Sequence, residues 1–406
     1  MTQTIKMLHF ADIHIGMENY GQVHPQLGVS TRVRDFLDRL DEVIDAALSW
    51  PVDLALFAGD AFKTRDPDPT QQREFATRIK RLAAHAPTFM LVGNHDIPGM
   101  AARATSLDIY ATLGVDNVLV GTRPGGQVIE TANGPVYLAW MPYPMRNRLL
   151  VKDDHRSKSV ADLDATLREK VVSVLNDLVV EAETHDMPRV LAGHFSVAEA
   201  ELGSERSVML GRDVAVGLGD LAHPAWDYVA MGHIHKHQDV NKGRYPAVVY
   251  SGSLERIDFG EERQPKGYCR VELARGATRW SFEEVAARAF QTIQVDVRDA
   301  TDPTERLLER ISRFNVTDKV IKLVVTMAGG QAALIREREV AAALSKAYSF
   351  TIQKEMQHAT RVRLGGESVE ALSPAELLEK YLIDKGYDSA QIAALLERAE
   401  TIFRSE

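Results

Sequence analysis

The sequence predicts an α/β protein: a large layered domain over residues 1–285, a small α+β module over 286–360, and a linker with a pair of helices over 361–406. Three observations carry this. Short apolar runs alternate with stretches whose apolar residues recur at helical spacing. Several of those runs end in glycine followed by His, Asp or Asn. After residue 285 the alternation starts afresh on a smaller scale, in a chain of 406 residues, longer than one core usually serves.

Taken in order, IKMLHFAD (5–12) reads as a buried strand. Over 31–48, Val33, Phe36, Leu37, Leu40, Val43, Ile44 and Ala47 recur as one face of an amphipathic helix. VDLALFAGD (52–60) is a second buried strand, 70–84 a helix, and TFMLVGNHD (88–96) a third strand. Strands and helices in this alternation predict a parallel sheet with crossover helices. A helix over 161–184 precedes strands at RVLAGHF (189–195), WDYVAMGH (226–233), AVVYSGS (247–253) and GYCRVELARG (267–276). The small module follows as TIQVDV (292–297), a helix at 303–314, VIKLVVTM (320–327), a helix at 332–347 and FTIQKEM (350–356). After a polar stretch, amphipathic helices are predicted at 374–384 and 388–404.

Composition narrows the class. With 45% hydrophobic and 26% charged residues the chain is ordinary for a globular protein. A single cysteine, Cys269, excludes an intrachain disulfide framework and a thiolate metal cage, and fits a reducing cytoplasm. The amino-terminal residues lack the basic, apolar and small-residue regions of a signal peptide. No apolar stretch is long enough to span a bilayer, so no membrane association is expected. A formal net charge of −9 counts against an overall basic nucleic-acid footprint and leaves only local charge to serve that purpose.

The polar residues at the strand ends carry the chemistry. ADIHIG supplies Asp12 and His14, FAGD supplies Asp60, and VGNHD supplies Asn94 and His95. AGHF supplies His194, and MGHIH supplies His233 and His235. In open α/β sheets such strand ends converge on the active site. Two carboxylates, an amide oxygen and four imidazoles mix hard oxygen with borderline nitrogen, which suits Mn²⁺, Fe²⁺ or Zn²⁺ better than Ca²⁺ or Mg²⁺. Seven ligands exceed one tetrahedral ion and fit two ions that share a carboxylate. His95, beside a ligand, is then free to protonate a leaving oxygen. Taken singly, each motif has a plainer reading: D-x-H as a surface accident, Gly-Asp as a turn, and N-H-D as a helix cap. The specific signal is the whole series in order, each at a strand end.

That series resembles the calcineurin-like metallophosphoesterase superfamily. RDPDPTQQREFATRI (65–79), GHIHKHQ (232–238) and YSGSLERIDFGEERQPKGY (250–268) are similar to the SbcD-type nuclease subunits of the bacterial SbcCD double-strand-break repair complex. SPAELLEKYLIDKG (373–386) is similar to the segment with which those subunits grip the SbcC-type ATPase. The resemblance implies a metallophosphoesterase nuclease domain, a capping domain that positions DNA, and a helical pair for the ATPase. Leu377, Leu378, Tyr381 and Leu382 lie on that pair's apolar face. It also implies a homodimer, a cytoplasmic, nucleoid-associated protein, and two divalent ions, with manganese as the implied metal. Asp12, His14, Asp60 and His235 correspond to the ligands of one ion, and Asp60, Asn94, His194 and His233 to those of the other. His95 corresponds to the catalytic histidine, and Asp96 is a residue expected to orient His95 or a ligand.

Two departures from the family pattern stand out. Lys63 occupies a position where many relatives carry histidine or an acidic residue, and it could contact DNA or lie in solvent. His237 follows GHIHK where many relatives have proline, and a loop role for it is favoured over a metal contact. A basic rim of Lys63, Arg65, Arg146, Arg148, Lys152 and Arg256 would offset the net charge near the site. A phosphatase or phosphodiesterase acting on small molecules or phosphoproteins would use the same metal core, and a scaffold with a degenerate site would keep only the docking helices.

Overall fold

The computed structural model describes residues 4–22, 30–98, 104–145, 160–203 and 213–356, with short helical stretches between 378 and 399. Leu377, Tyr381, Arg146, Arg148 and Lys152 lie outside the described residues, as does most of the expected helical pair. Of its apolar face, Leu378 is half-buried and Leu382 buried.

The chain begins with β1 (Ile5–Phe10), α1 (Thr31–Ser49), β2 (Leu54–Phe57), α2 (Pro69–Ala83) and β3 (Thr88–Leu91). Then come α3 (Asp108–Leu113), β4 (Val118–Gly121), β5 (Gly125–Thr131), β6 (Gly134–Met141), α4 (Val160–Ala182) and β7 (Arg189–His194). The short strands β8 (Ser196–Val197) and β9 (Ala215–Val216) precede β10 (Tyr228–Gly232), β11 (Gln238–Asp239) and β12 (Ala247–Tyr250). β13 (Gly267–Leu273) and β14 (Arg279–Glu284) close this part of the chain.

Two six-stranded sheets result, in the orders β14-β13-β1-β2-β3-β4 and β11-β12-β10-β7-β6-β5. The central pairs β1–β2, β2–β3, β6–β7, β7–β10 and β10–β12 are parallel, with α1, α2 and α4 as the crossovers of the first three. Antiparallel strands flank them, β13 beside β1 and β5 beside β6. The sheets lie face to face. Met7, Leu54, Leu56, Phe89 and Leu91 from one meet Leu138, Val190, Ala192, Tyr228 and Val249 from the other in a common core. The alternate residues, Leu8, Phe10, Ala55, Phe57 and Met90, pack under α1 and α2 on the outer face of the first sheet. Leu191, Val229 and Met231 pack under α4 on the outer face of the second. Strands buried on both faces read in sequence as unbroken apolar runs, which is why they were legible.

The stretch 118–141, unassigned by periodicity, forms three strands. Its hairpin turns at Ala132-Asn133, between the paired Thr131 and Gly134, where Gly134 takes φ +120° and a hydroxyl–carbonyl bond from Thr131 to Gly134 (2.6 Å) closes the turn. The strands expected over 52–60, 88–96 and 226–233 are shorter, because the chain leaves the ladder where the polar residues begin.

By compactness the chain divides into one unit of residues 1–293, 314–323 and 344–351 and another of 294–313, 324–343 and 352–406. Strands β15 (Phe290–Asp296), β16 (Val320–Met327) and β17 (Ser349–Met356) form a three-stranded sheet of their own. Within the second unit, α5 (Pro303–Ser312) starts on Asp302, whose carboxylate accepts from the N–H groups of Thr304 (2.8 Å) and Glu305 (3.1 Å). Pro303 at its first position needs no N–H partner. The helix expected over 332–347 is broken: a 3-10 turn at Gln331–Leu334 is followed by α6 (Glu337–Ala343). The Thr304 hydroxyl donates to the Leu334 carbonyl (3.3 Å) and accepts the Arg336 N–H (2.9 Å), so two backbone groups that a continuous helix would use are diverted. Among the described residues no helix is long and apolar enough to cross a membrane.

Candidate metal centre

The exits of β1, β2 and β3 meet those of β7 and β10 at one edge of the two-sheet core. The segment after β1 runs along the segment after β2. Asp12 N–H donates to the Gly59 carbonyl (2.9 Å), Ile13 and His14 to that of Asp60 (2.9 and 3.1 Å), and Ile15 to that of Ala61 (2.9 Å). This lattice holds an uncommon backbone. Asp12, His14, Asp60 and His233 adopt φ of +53°, +52°, +61° and +95°. A non-glycine residue there costs roughly 1–3 kcal/mol and persists only where its surroundings impose it. Close approach fixes the neighbouring glycines. A methyl group on Gly59, itself at φ +101°, would strike the His194 ring, and one on Gly93 would strike the Asp60 carboxylate.

The side chains gather in overlapping groups. Ligand atoms of Asp12, His14 and His235 lie within 4.8 Å of one another, as do those of His14, Asp60 and His95, and those of Asp60, His194 and His233. Asp60 belongs to two of these groups: its Oδ2 is 3.3 Å from His194 Nε2 and 3.8 Å from His14 Nε2. His14 Nε2 and His235 Nε2 are 3.0 Å apart. Asn94 Oδ1 lies 3.1 Å from His194 Nε2 and 2.9 Å from His233 Nδ1. The structure therefore brings together Asp12, His14, Asp60, Asn94, His194, His233 and His235, with His95 at their rim.

The second nitrogen of each ring shows what this cluster suits. His194 Nδ1 faces the Ala58 carbonyl (2.6 Å), His233 Nε2 the Asp213 carboxylate (3.0 Å), and His235 Nδ1 the Glu261 carboxylate (2.8 Å). Each ring must donate at that nitrogen, which leaves the inward one as a bare lone pair. Asn94 Oδ1 then has two further acceptors, His194 Nε2 and His233 Nδ1, within hydrogen-bond distance. His14 Nε2 lies 3.0 Å from the bare His235 Nε2, and with either tautomer open to His14 it can turn a second lone pair toward an ion there. Acceptors facing acceptors in a buried site fit a divalent cation, and the Asp/His groups can hold such ions.

Without a bound ion, protons must stand in. Burial opposes charge on His194, but the Asp60 carboxylate, with Asp12 and the Ala58 carbonyl, overrides it and pushes the imidazole up to about 9. Burial acts unopposed enough on His14 to hold it well below the usual imidazole range, despite Asp60. Burial also raises Asp12, against the pull of His194 and His235. Since the His194 pKa lies above the ordinary 6.5, its bond to Asp60 stabilises the ion-free fold fully below pH 6.5, and that stability is lost as pH rises through about 9. An ion at this position must displace the same proton. Calorimetric metal titration at pH 7.5 in two buffers of different ionisation enthalpy should register about one proton released per chain, with affinity rising toward pH 9. Binding without proton release would remove His194 from the ligand set.

The remaining expected residues fall into distinct places. The N–H of His95 donates to Asp60 Oδ1 (2.8 Å), and its Nδ1 donates to the Lys63 carbonyl (2.7 Å), so Nε2 is the nitrogen left for a substrate. Lys63, Thr64, Arg65, Asp66, Asn94 and His95 line an open cleft of about 560 Å³. Asp96 serves the backbone of the β2 and β3 exits, including that of the candidate ligand Asp60. It is fully buried, and its carboxylate accepts from the N–H groups of Asp60 (3.0 Å), Ala61 (3.1 Å) and Gly93 (3.0 Å), tying the β2 and β3 exits together. Burial and the nearby Asp60 charge push it up to about 7. Arg256 does not join a basic rim: its guanidinium donates to the carbonyls of Gln264 (2.8 Å) and Arg288 (3.1 Å). His237 bonds the Tyr250 carbonyl (2.9 Å) and stacks on Phe282 at 3.8 Å, a loop role.

Sequence reasoning missed Asp213 and Glu261. Neither sits in a His/Asp motif. Glu261 stands in GEERQPKG, which reads as a solvated charged turn.

Comparison with known proteins agrees with this geometry. The model of the calcineurin-like phosphoesterase family matches residues 5–237. The chain is 27% identical over 281 residues to the SbcD subunit of the SbcCD nuclease of Bacillus subtilis, covering 67% of each chain. It is 26% identical over 315 residues to the corresponding SbcCD nuclease subunit of Escherichia coli K12, covering 75% of this chain and 73% of that one. It is 25% identical over 417 residues to the DNA double-strand break repair protein Mre11 of Archaeoglobus fulgidus, covering 97% and 84%.

Proposed function

Because the chain belongs to the calcineurin-like phosphoesterase family, we propose that it is a DNA nuclease, hydrolysing phosphodiester bonds as an exonuclease and endonuclease in double-strand-break repair. The observation that carries this reading is the set of overlapping Asp/His groups joined by Asp60, with the His95 ring beside them over an open cleft. The likeness over most of the chain to nuclease subunits and to a DNA double-strand break repair protein supports DNA as the substrate of such a core.

Asp12, His14, Asp60 and His235 would hold one divalent ion, and Asp60, Asn94, His194 and His233 the other. This mix of carboxylate, amide and imidazole suits Mn²⁺, Fe²⁺ or Zn²⁺, and the resemblance to SbcD-type nuclease subunits favours Mn²⁺. When bound, the two ions supply Lewis-acid charge to the phosphodiester and to the attacking water. The protein's own residues do the rest. His95, fixed through Nδ1 by the Lys63 carbonyl, presents Nε2 to the leaving oxygen and delivers a proton there. Lys63 and Arg65, on the wall of the same cleft, give local positive charge to a chain of net charge −9 and face the substrate backbone. Contacts of this kind bind DNA without reading its sequence and weaken with salt.

Residues 286–360 would serve as the capping module that positions DNA. Residues 361–406, including Leu377, Leu378, Tyr381 and Leu382, form the contact with an SbcC-type ATPase. The chain acts as a homodimer in the cytoplasm, at the nucleoid. Ile109 and Leu113, 51% and 70% exposed on α3, support a self-association face. Light scattering of the chain alone and mixed with such an ATPase tests both contacts.

The decisive assay compares manganese-dependent turnover on linear duplex DNA, a phosphomonoester and a cyclic nucleotide. The nuclease reading expects turnover on DNA that a chelator abolishes. Turnover confined to the small substrates would replace it with a phosphatase or phosphodiesterase.

A further inference from the structure

Behind His235 lies a buried ion pair that the proposed reaction does not use. The side chains of Glu261 and Lys266 are both 0% exposed, with Lys266 Nζ 2.9 Å from Glu261 Oε2. Glu261 Oε1 accepts from His235 Nδ1 (2.8 Å), and its Oε2 also accepts the Ile257 N–H (3.0 Å). The His235 carbonyl (3.1 Å), the Ser253 hydroxyl (2.8 Å) and Gln264 Oε1 (3.2 Å) also lie within reach of Lys266 Nζ and share its remaining N–H groups. The pair thus holds His235 twice, by its ring through Glu261 and by its main chain through Lys266.

Stability alone gives little reason for this arrangement. Burying two charges forfeits their hydration, and a well-packed apolar pair is often as stable. The neighbouring imidazoles show what the pair adds. The other imidazole of the same group, His14, has a buried Nδ1 with no hydrogen-bond partner, so nothing fixes its tautomer. His233, in the other group, leans on Asp213, which is 10% exposed and is bonded by the Ser196 hydroxyl and the Val214 N–H (3.0 Å). Among the described ligand rings, His235 is the one whose carboxylate comes with its own buried counter-charge. A bare carboxylate would orient the ring and add a full negative charge to the site. Paired with Lys266, Glu261 orients the ring while adding little net charge.

We infer that Glu261 and Lys266 are positioning residues for the metal position at Asp12, His14 and His235, locking the ring of His235 with Nε2 bare and aimed at the ion. This rests on the two-ion reading above. It predicts an effect confined to one of the two ions, since the other position shares Asp60 but neither His14 nor His235.

The test is a manganese titration of the full chain followed by electron paramagnetic resonance, with ion-free thermal melts as a check of folding. In Glu261→Ala, affinity for one ion should fall about 10–100-fold while the other is unchanged. Glu261→Gln, which retains an acceptor oxygen for the ring, should lose less. Glu261→Leu/Lys266→Met removes both charges, leaves no unpaired lysine, and should show the same one-ion loss. A purely structural role would instead lower the melting temperature and weaken both ions together. Two wild-type affinities in the folded double variant, or equal loss at both ions in Glu261→Gln, would overturn the inference and leave the two-ion reading standing. A wild-type chain that takes up no manganese would sink both.

Discussion

His95→Ala should cut DNA hydrolysis by about 10²–10⁴-fold, the usual contribution of a general acid, while the chain keeps its full complement of divalent ions. The separation of effects follows from geometry. The backbone N–H of His95, not its ring, bonds the Asp60 carboxylate, so alanine preserves that contact. The ring's own anchor is the Lys63 carbonyl on the cleft wall, away from the Asn94, His194 and His233 meeting. The ring does approach His14, with centroids 4.9 Å apart. A substantial fall in metal affinity on substitution would therefore reassign His95 as a ligand. Full cleavage by the purified variant would remove it from the reaction. Turnover measured beside metal content by mass spectrometry separates these outcomes.

Asp60→Ala should have the largest effect of any single change, weakening both ions at once and reducing turnover below detection. Asp60 Oδ2 faces His14 on one side and His194 on the other, and Oδ1 receives the His95 N–H. Its charge is also what raises His194, so its loss should return that imidazole toward neutrality and remove the proton release described above. Burial would raise the carboxyl, but His194 and His95 hold Asp60 well below the usual carboxylate range. Metal analysis that finds two tightly held ions in folded Asp60→Ala would exclude a shared ligand. Asp60→Asn keeps the shape without the charge and should recover little affinity if charge is the essential property.

How much of this was legible in the sequence follows from how local each signal was. Runs such as IKMLHF and TFML announce strands buried on both faces, because each residue's surroundings are apolar whichever way it points. The candidate ligands were legible because each stands directly after such a run, and strand ends in parallel sheets share one edge. The broken helix near residue 335 was not, because its cause is the Thr304 hydroxyl some thirty residues away. Asp96 shows an intermediate case. The sequence left it to orient either His95 or a ligand, and its carboxylate accepts from the N–H groups of Asp60, a candidate ligand, and of Ala61.

The sequence by itself determined which side chains could bind metal and which strands would deliver them, since both depend on residue type and on periodicity along a short stretch. The tertiary structure alone decided how those side chains are held. Asp213 and Glu261 approach His233 and His235 from segments 20 and 26 residues distant, and Lys266 closes the pair within the same fold. Such contacts depend on where separate loops come to rest against one another. The physical reason is that a ring's tautomer and a carboxylate's charge are set by neighbours in space, and a linear pattern does not name those neighbours.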